Sequence, residues 1–105
     1  MTPEERKYGA MLFAALANPA RLQILEVLAE GPASVSRIAE AVGLRQSMAS
    51  QHLSALLRAG VVVKHAEGNL RIYSLRGPRI AQVLRLVDEF YRVHMDNLRQ
   101  LLKSH

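Results

Sequence analysis

The chain has 105 residues, a length that allows one domain with one modest hydrophobic core. It contains no cysteine, which excludes disulfides, thiolate metal sites, cysteine nucleophiles and thiol redox chemistry. No apolar run approaches the ~18 residues of a membrane span, and the first residues lack the layout of a signal peptide, so we expect a soluble, cytoplasmic protein without membrane contacts.

The net charge of +5 is concentrated in one part of the chain. Residues 34–79 contain seven basic and two acidic side chains, whereas the remaining residues contain seven of each. Such a cluster favours a polyanionic partner, because Lys and Arg near phosphates release condensed counterions. A basic surface that is merely solvated is the alternative. A membrane surface is disfavoured, because no basic amphipathic helix carries the charge.

The first part of the chain predicts three helices. The first covers residues 3–16. Asn18-Pro19 starts the second helix, because asparagine is a good N-cap and proline needs no backbone donor in the first turn, and Gly31-Pro32 ends it. Ser34 caps a short third helix that closes at Gly43.

The second part predicts two further helices with a β-hairpin between them. A fourth helix covers residues 46–59. Two β-prone runs, residues 61–66 and 70–75, flank a glycine-containing turn at residues 67–69 and predict the hairpin. A long last helix extends from about Arg79 to the end of the chain.

The third and fourth helices, joined by a tight turn, have the layout of a helix-turn-helix over residues 34–60. In the fourth helix, apolar and small residues recur at spacings of four, three and four and are expected to face the core: Ala49, Leu53, Leu56 and Gly60. The opposite side carries hydroxyl and amide side chains that can bond to base edges and phosphates. These are Gln46, Ser47, Ser50, Gln51 and Ser54. A merely solvated helix would more often carry Glu and Lys there.

The predicted hairpin, residues 61–76, fits a wing that lies along the DNA backbone or the adjacent minor groove. Its polar and basic residues are Lys64, His65, Asn69 and Arg71. We expect Lys64, Asn69 and Arg71 to position the DNA backbone and His65 to be a surface residue of the wing. An ordinary basic surface hairpin is the alternative.

Together these segments resemble the ArsR/SmtB family of dimeric transcriptional repressors, in order and at the family's spacing over nearly the whole chain. The matching runs are residues 17–25 (ANPARLQIL), 35–39 (VSRIA), 43–53 (GLRQSMASQHL), 59–62 (AGVV) and 71–75 (RIYSL). The resemblance implies a mainly α winged helix-turn-helix fold in a single domain. It also implies a homodimer, built from the first helix and from a last helix at residues 79–104, that binds an inverted-repeat operator on double-stranded DNA.

The last helix has an apolar stripe at steps of four and three, as in a packed helix seam. With two residues of the first helix, it gives the expected dimer interface: Leu12, Leu16, Ile80, Leu84, Val87, Tyr91, His94, Leu98 and Leu101. The family often has Ser where Arg45 stands, and we interpret Arg45 as an anchor for the DNA backbone. His52 occupies a position typical of the family and either packs beside the core or touches a phosphate.

The effector cannot be read from the sequence. Some family members sense metals through cysteine ligands, and this sequence has no cysteine. Another group binds Zn, Co or Ni at the last helix, and His94 and His105 have that site's spacing, but Arg92 replaces its Asp. The two histidines lie ~16 Å apart along one helix, so they could share an ion only across a dimer, and two ligands make a poor site. We therefore predict no metal and no cofactor, with a Zn, Ni or Co site at His94 and His105 as the alternative.

The main hypothesis is thus a DNA-binding transcriptional repressor, and a winged-helix protein-interaction module is the alternative from another class. An enzyme is not expected. The sequence has no cysteine, no glycine-rich phosphate loop and no histidine spaced with a carboxylate as a catalytic pair.

Overall fold

The computed structural model describes residues 1–104 and forms one layer of helices against a small sheet. Its helices are α1 (Pro3–Leu16), α2 (Pro19–Ala29), α3 (Val35–Val42), α4 (Gln46–Arg58) and α5 (Pro78–Lys103). Its strands are β1 (Ala33–Ser34), β2 (Val62–Glu67) and β3 (Leu70–Leu75). The predicted mainly α winged helix-turn-helix architecture is confirmed, with helix ends within one or two residues of those expected.

The first three helices begin at residues that cap them. Thr2 and Glu5 form a capping box on α1, in which the N–H of Glu5 donates to the Thr2 hydroxyl at 3.1 Å. The side chains of Asn18 and Ser34 accept backbone N–H groups at the starts of α2 and α3. Each cap satisfies a donor that has no partner inside the helix, which explains why these starts were readable from the sequence.

The sheet is antiparallel, with strand order β1-β3-β2. In the wing hairpin Val62 pairs with Leu75 and Glu67 with Leu70, so the connecting turn is only two residues, Gly68 and Asn69, rather than the three predicted. Gly68 has φ +59°, which a glycine adopts at little cost. The strand β1 was not predicted. It pairs with β3 and ties the loop before α3 to the base of the wing.

The core lies where α2, α3 and α4 meet the sheet. Ala49, Leu53 and Leu56 are fully buried, as the spacing in α4 predicts, whereas Gly60 is half-buried in the turn after the helix. The other buried core side chains come from α1, α2, α3 and the sheet: Leu16, Ile24, Leu25, Leu28, Ala33, Ile38, Val61, Val62 and Tyr73.

The last helix touches this core only through its first turns. Ile80, Val83 and Leu84 pack against the core, and α5 has no buried residue over its 26 positions. The rest of α5 therefore projects away from the core, as a helix about 39 Å long must do. Within residues 1–104, no single helix is long and apolar enough to cross a membrane; by length and composition α1 and α2 would qualify only as a pair, and that pair is bent by 94°.

Candidate nucleic-acid interface

The start of α4 is fixed by the turn that precedes it. Helix α3 ends at Gly43 in the left-handed conformation, φ +71°, and the N–H of Leu44 returns to the carbonyl of Ala39 at 3.0 Å. Arg45 is extended and occupies the N-cap, with no hydrogen bond from its side chain to the helix. Its exposed guanidinium is therefore not used in capping and can meet an anion at this end of the helix.

The outer side of α4 carries the polar side chains that the sequence predicted there. Gln46, Ser47 and Gln51 are exposed, and Ser50 and Ser54 are half-buried. No acidic residue occurs in α4. A duplex would therefore meet donors and acceptors on this face without repulsion between carboxylates and phosphates.

A residue that the sequence analysis did not single out extends this outer row. Arg58 is exposed in the last turn of α4, and it follows Ser47, Gln51 and Ser54 at steps of four, three and four. Side chains at these steps share one helix face. The helical spacing that predicts the buried row of α4 also predicts that Arg58 continues the exposed row.

His52 is held by another helix. The Arg21 Nε of α2 donates to the Nδ1 atom of His52 at 3.2 Å, and the Arg21 Nη1 donates to the carbonyl of Ala15 at 3.2 Å. The backbone N–H of Arg21 donates to the N-cap side chain of Asn18 at 3.1 Å. One arginine thus joins the end of α1, the start of α2 and the middle of α4, a contact that no pattern in the sequence predicts.

The wing presents its polar residues to solvent. Lys64, His65, Asn69 and Arg71 are all exposed. Because Arg71 pairs with Ala66, two residues from Lys64 on the neighbouring strand, Lys64 and Arg71 project from the same face of the hairpin. His65 projects from the opposite face, and Asn69 lies in the turn. Two cations on one face of an exposed hairpin match what a backbone-contacting wing requires.

The side chains expected at a dimer interface fall into two groups. Leu16 is buried in the protomer's own core, and Leu12, Ile80 and Leu84 pack against that core. The others stay largely accessible along α5: Val87, Tyr91, Leu98 and Leu101 are exposed and His94 is half-buried.

A second set of exposed apolar side chains was not predicted. Leu86, Phe90 and Val93 on α5 are each more than 60% exposed, as is Phe13 on α1. Large apolar side chains clustered at the surface mark an interaction site more often than a solvated one. The apolar surface of α5 is therefore wider than the single stripe read from the spacing.

Of the two histidines proposed as an alternative metal site, only His94 lies within the described residues. His94 lies against the ring of Phe90, with ring centroids 4.5 Å apart, and His105 lies outside the described residues. Among residues 1–104, no three His, Asp or Glu side chains converge in a way that could hold a metal ion.

A groove of about 660 Å³ separates α2 from α5. Its apolar floor includes Leu22 and Leu84, and its rim carries Glu26, Glu30 and Arg85. The groove borders the exposed apolar surface of α5, and an Arg92–Asp88 ion pair at 3.1 Å lies at its edge.

Comparison with known proteins connects this geometry to a family. The sequence model described as "Bacterial regulatory protein, arsR family" matches residues 18–64, from the cap of α2 into the wing. The HTH-type transcriptional regulator Rv0081 of Mycobacterium tuberculosis is 47% identical over 79 residues, which cover 74% of this chain and 69% of that protein. The regulator NmtR of the same organism is 44% identical over 70 residues, 67% of this chain and 58% of that protein.

Solved structures give the same result. The solution structure of the homodimeric winged helix-turn-helix DNA-binding domain Mb0332 of Mycobacterium bovis, a possible ArsR-family regulator, matches with a TM-score of 0.82 and 33% identity, covering 92% of this chain and 93% of that one. The crystal structure of Rv0081 matches with a TM-score of 0.79 and 39% identity, covering 93% and 99%. The resemblance noted in the sequence is therefore confirmed, and the chain belongs to the arsR family of bacterial regulatory proteins.

Proposed function

We propose that this protein is a transcriptional repressor that binds an inverted-repeat operator in double-stranded DNA as a homodimer in the cytoplasm. The observation that carries this proposal is the outer face of α4, which has exposed amide and hydroxyl side chains, no carboxylate and an exposed arginine at each end. It is the helix that follows the turn of the helix-turn-helix, and that helix enters the major groove in this motif.

Residues around α4 supply the electrostatic part of the interface. Lys64 and Arg71 on one face of the wing would contact phosphates beside the groove that α4 occupies. Arg45 and Arg58 would anchor the two ends of the helix to the backbone. Base contacts would come from Gln46, Ser47, Ser50 and Gln51, of which Gln can pair bidentately with adenine.

The dimer would form through α5 together with α1. The exposed apolar side chains of α5 include Val87, Phe90 and Tyr91, and covering them with a second copy would remove them from water. A two-fold symmetric dimer presents two recognition helices, which accounts for a palindromic operator. The homodimeric Mb0332 domain supports this arrangement by analogy.

The test is a fluorescence titration of the protein with duplex DNA at two salt concentrations, first with random sequence and then with sequence flanking its own gene. We expect binding that weakens steeply with salt, because each neutralised phosphate releases a condensed counterion. We also expect tighter binding to an inverted repeat than to random duplex. Absence of salt-sensitive binding to either duplex would overturn the proposal and favour a protein-interaction module.

A further inference from the structure

The Arg21–His52 contact fixes which nitrogen of the imidazole carries a proton. A guanidinium has only donor hydrogens and no acceptor. The Nδ1 atom of His52, 3.2 Å from the Arg21 Nε, must therefore be the acceptor and carry no proton. The ring is then neutral, and its hydrogen is on Nε2.

The second ring nitrogen is free to meet a partner. Within residues 1–104, no buried side-chain nitrogen or oxygen lacks a hydrogen-bond partner. Among the described residues the Nε2 atom has no hydrogen-bond partner, so it reaches solvent although His52 as a whole is half-buried. His52 follows Gln51 by about 100° around α4 and lies between the buried row and the outer row of that helix, at the edge of the face that we propose for DNA.

Arg21 is itself held by two further hydrogen bonds. Its backbone N–H is bonded to the N-cap side chain of Asn18, and its Nη1 donates to the carbonyl of Ala15 in the last turn of α1. That carbonyl is among those with no acceptor role inside the helix, and a cation there also offsets the negative end of the helix dipole. No basic residue of α1 lies in its own last turn, so Arg21 supplies that charge from α2.

We propose that Arg21 is a positioning residue for DNA binding: it holds His52 as the Nε2–H tautomer and so presents a neutral, oriented donor to a phosphate oxygen of the DNA. The inference rests on the proposed function, because it names a further contact at the same interface. It adds a role for a residue of α2, which lies outside the helix-turn-helix.

Two substitutions of His52 distinguish the role of Nδ1 as an acceptor from the role of Nε2 as a donor. In His52→Asn the Oδ1 atom replaces Nδ1 as acceptor for Arg21, but nothing replaces Nε2. In His52→Gln the terminal amide nitrogen stands the same number of bonds from the backbone as Nε2 and restores the donor. We expect His52→Asn to weaken DNA binding by roughly tenfold, the usual size for a hydrogen bond to a charged group. His52→Gln keeps a donor but loses the acceptor for Arg21, so its affinity should fall between that of His52→Asn and that of the wild type.

The role of Arg21 is tested by spectroscopy as well as by binding, and Arg21→Lys should weaken DNA binding by up to the factor expected for His52→Asn. Long-range ¹H–¹⁵N spectra of the free protein distinguish a protonated from an unprotonated ring nitrogen, and exposed His65 serves as a reference in the same molecule. We expect His52 to be the Nε2–H form alone in the wild type, and a mixture of tautomers in Arg21→Ala and Arg21→Lys. Lysine keeps the charge but lacks the forked donors that reach both partners.

Three results would each overturn the proposal. A proton on Nδ1 in the wild type, or wild-type DNA affinity in His52→Asn, would overturn the proposal. So would an unchanged tautomer in a folded Arg21→Lys protein, whose circular dichroism shows that the helices are intact. If the wild type binds no DNA, the proposed function fails and the role in DNA binding fails with it, whereas the tautomer and its dependence on Arg21 still show whether Arg21 orients the imidazole of His52.

Discussion

The side chain of Arg76 is hydrogen-bonded to the turn that ends α4: its Nε donates to the carbonyl of Gly60 at 2.6 Å. The backbone N–H of Arg76 also donates to the carbonyl of Val61, at 3.0 Å. Gly60 has φ +75°, so the chain turns sharply there, and Arg76 holds both ends of the hairpin against α4. The position of the wing relative to the helix is therefore set at this point.

Replacing Arg76 with alanine should loosen the wing while the helices stay folded. Loss of the side-chain hydrogen bond to Gly60 should lower the free energy of unfolding by about 0.5–1.5 kcal/mol. Hydrogen exchange of the β2 and β3 amides should accelerate more than exchange in α4. Arg79→Ala, which removes the same charge from the first turn of α5, is the control and should leave exchange in the wing unchanged. Equal exchange in both variants would contradict the role assigned to Arg76.

Gln51 should contribute to the choice of sequence. It is exposed at the centre of the outer row of α4 and has both the acceptor and the donor needed to pair with adenine. Gln51→Ala should weaken specific binding by ~1–3 kcal/mol and leave nonspecific binding nearly unchanged. Titrations with operator and random duplexes measure the two terms separately.

The control for Gln51 is Gln100→Ala, which removes the same side chain from an exposed position near the end of α5. It should leave both affinities unchanged. A Gln51→Ala protein that still prefers its operator by the wild-type factor would show that Gln51 reads no base.

Features that depend on neighbours in the chain were predictable from the sequence. The caps Asn18 and Ser34 act within three residues of their own position, and the buried row of α4 follows from helical spacing alone. The hairpin was located by its glycine-containing turn and β-prone flanks. Its turn is one residue shorter than expected because Glu67 stays paired with Leu70.

Features that depend on distant contacts were not predictable. The strand β1 has only two residues and exists because Ala33 meets Tyr73 forty positions away along the chain. The bond from Arg21 to His52 joins residues 31 apart, and no spacing rule connects them. The division of the expected interface into core-packed Leu84 and exposed Val87 likewise emerges only when α5 lies against α2.

We expect Arg71 to contribute to the affinity for DNA of any sequence. It is exposed on the same face of the wing as Lys64, where a phosphate contact is expected. Arg71→Ala should weaken binding to operator and random duplex by similar factors, and should reduce the slope of log affinity against log salt by about one. Arg99→Ala on α5 is the matched control. A salt slope that does not change in Arg71→Ala would exclude a phosphate contact from this position.

Gly43 should be required for the turn between α3 and α4. Its φ of +71° is costly for any residue with a Cβ, although no atom lies within 4 Å of the place where a Cβ would stand. Gly43→Ala should therefore lower the free energy of unfolding by about 1–2 kcal/mol through backbone strain alone.

The comparison for Gly43 is Gly9→Ala, inside α1. An added Cβ there meets only Met1 Cε at 3.6 Å, an ordinary contact, and alanine favours a helix over glycine. This variant should be more stable than the wild type by roughly 0.5–1 kcal/mol. The midpoint of thermal unfolding should therefore fall in Gly43→Ala and rise in Gly9→Ala, although both variants add one methyl group. Equal shifts in the two variants would show that the backbone at Gly43 is not strained.

Val87 should decide whether the chain dimerises. It is 55% exposed in the protomer, so a charge there costs the monomer little, yet it lies on the apolar surface of α5 that we assign to a second copy. An unpaired carboxylate buried at an apolar interface costs several kcal/mol. Val87→Asp should therefore raise the dimer dissociation constant by at least about a hundredfold.

Sedimentation over a range of protein concentrations measures this effect, with Ala66→Asp as the control for sedimentation alone, because it adds the same charge at an exposed position outside α1 and α5. Operator affinity should fall with dimerisation in Val87→Asp, because a monomer presents one recognition helix to two half-sites. Binding to a single half-site should stay close to that of the wild type. A Val87→Asp protein that sediments as a dimer would move the interface away from this face of α5.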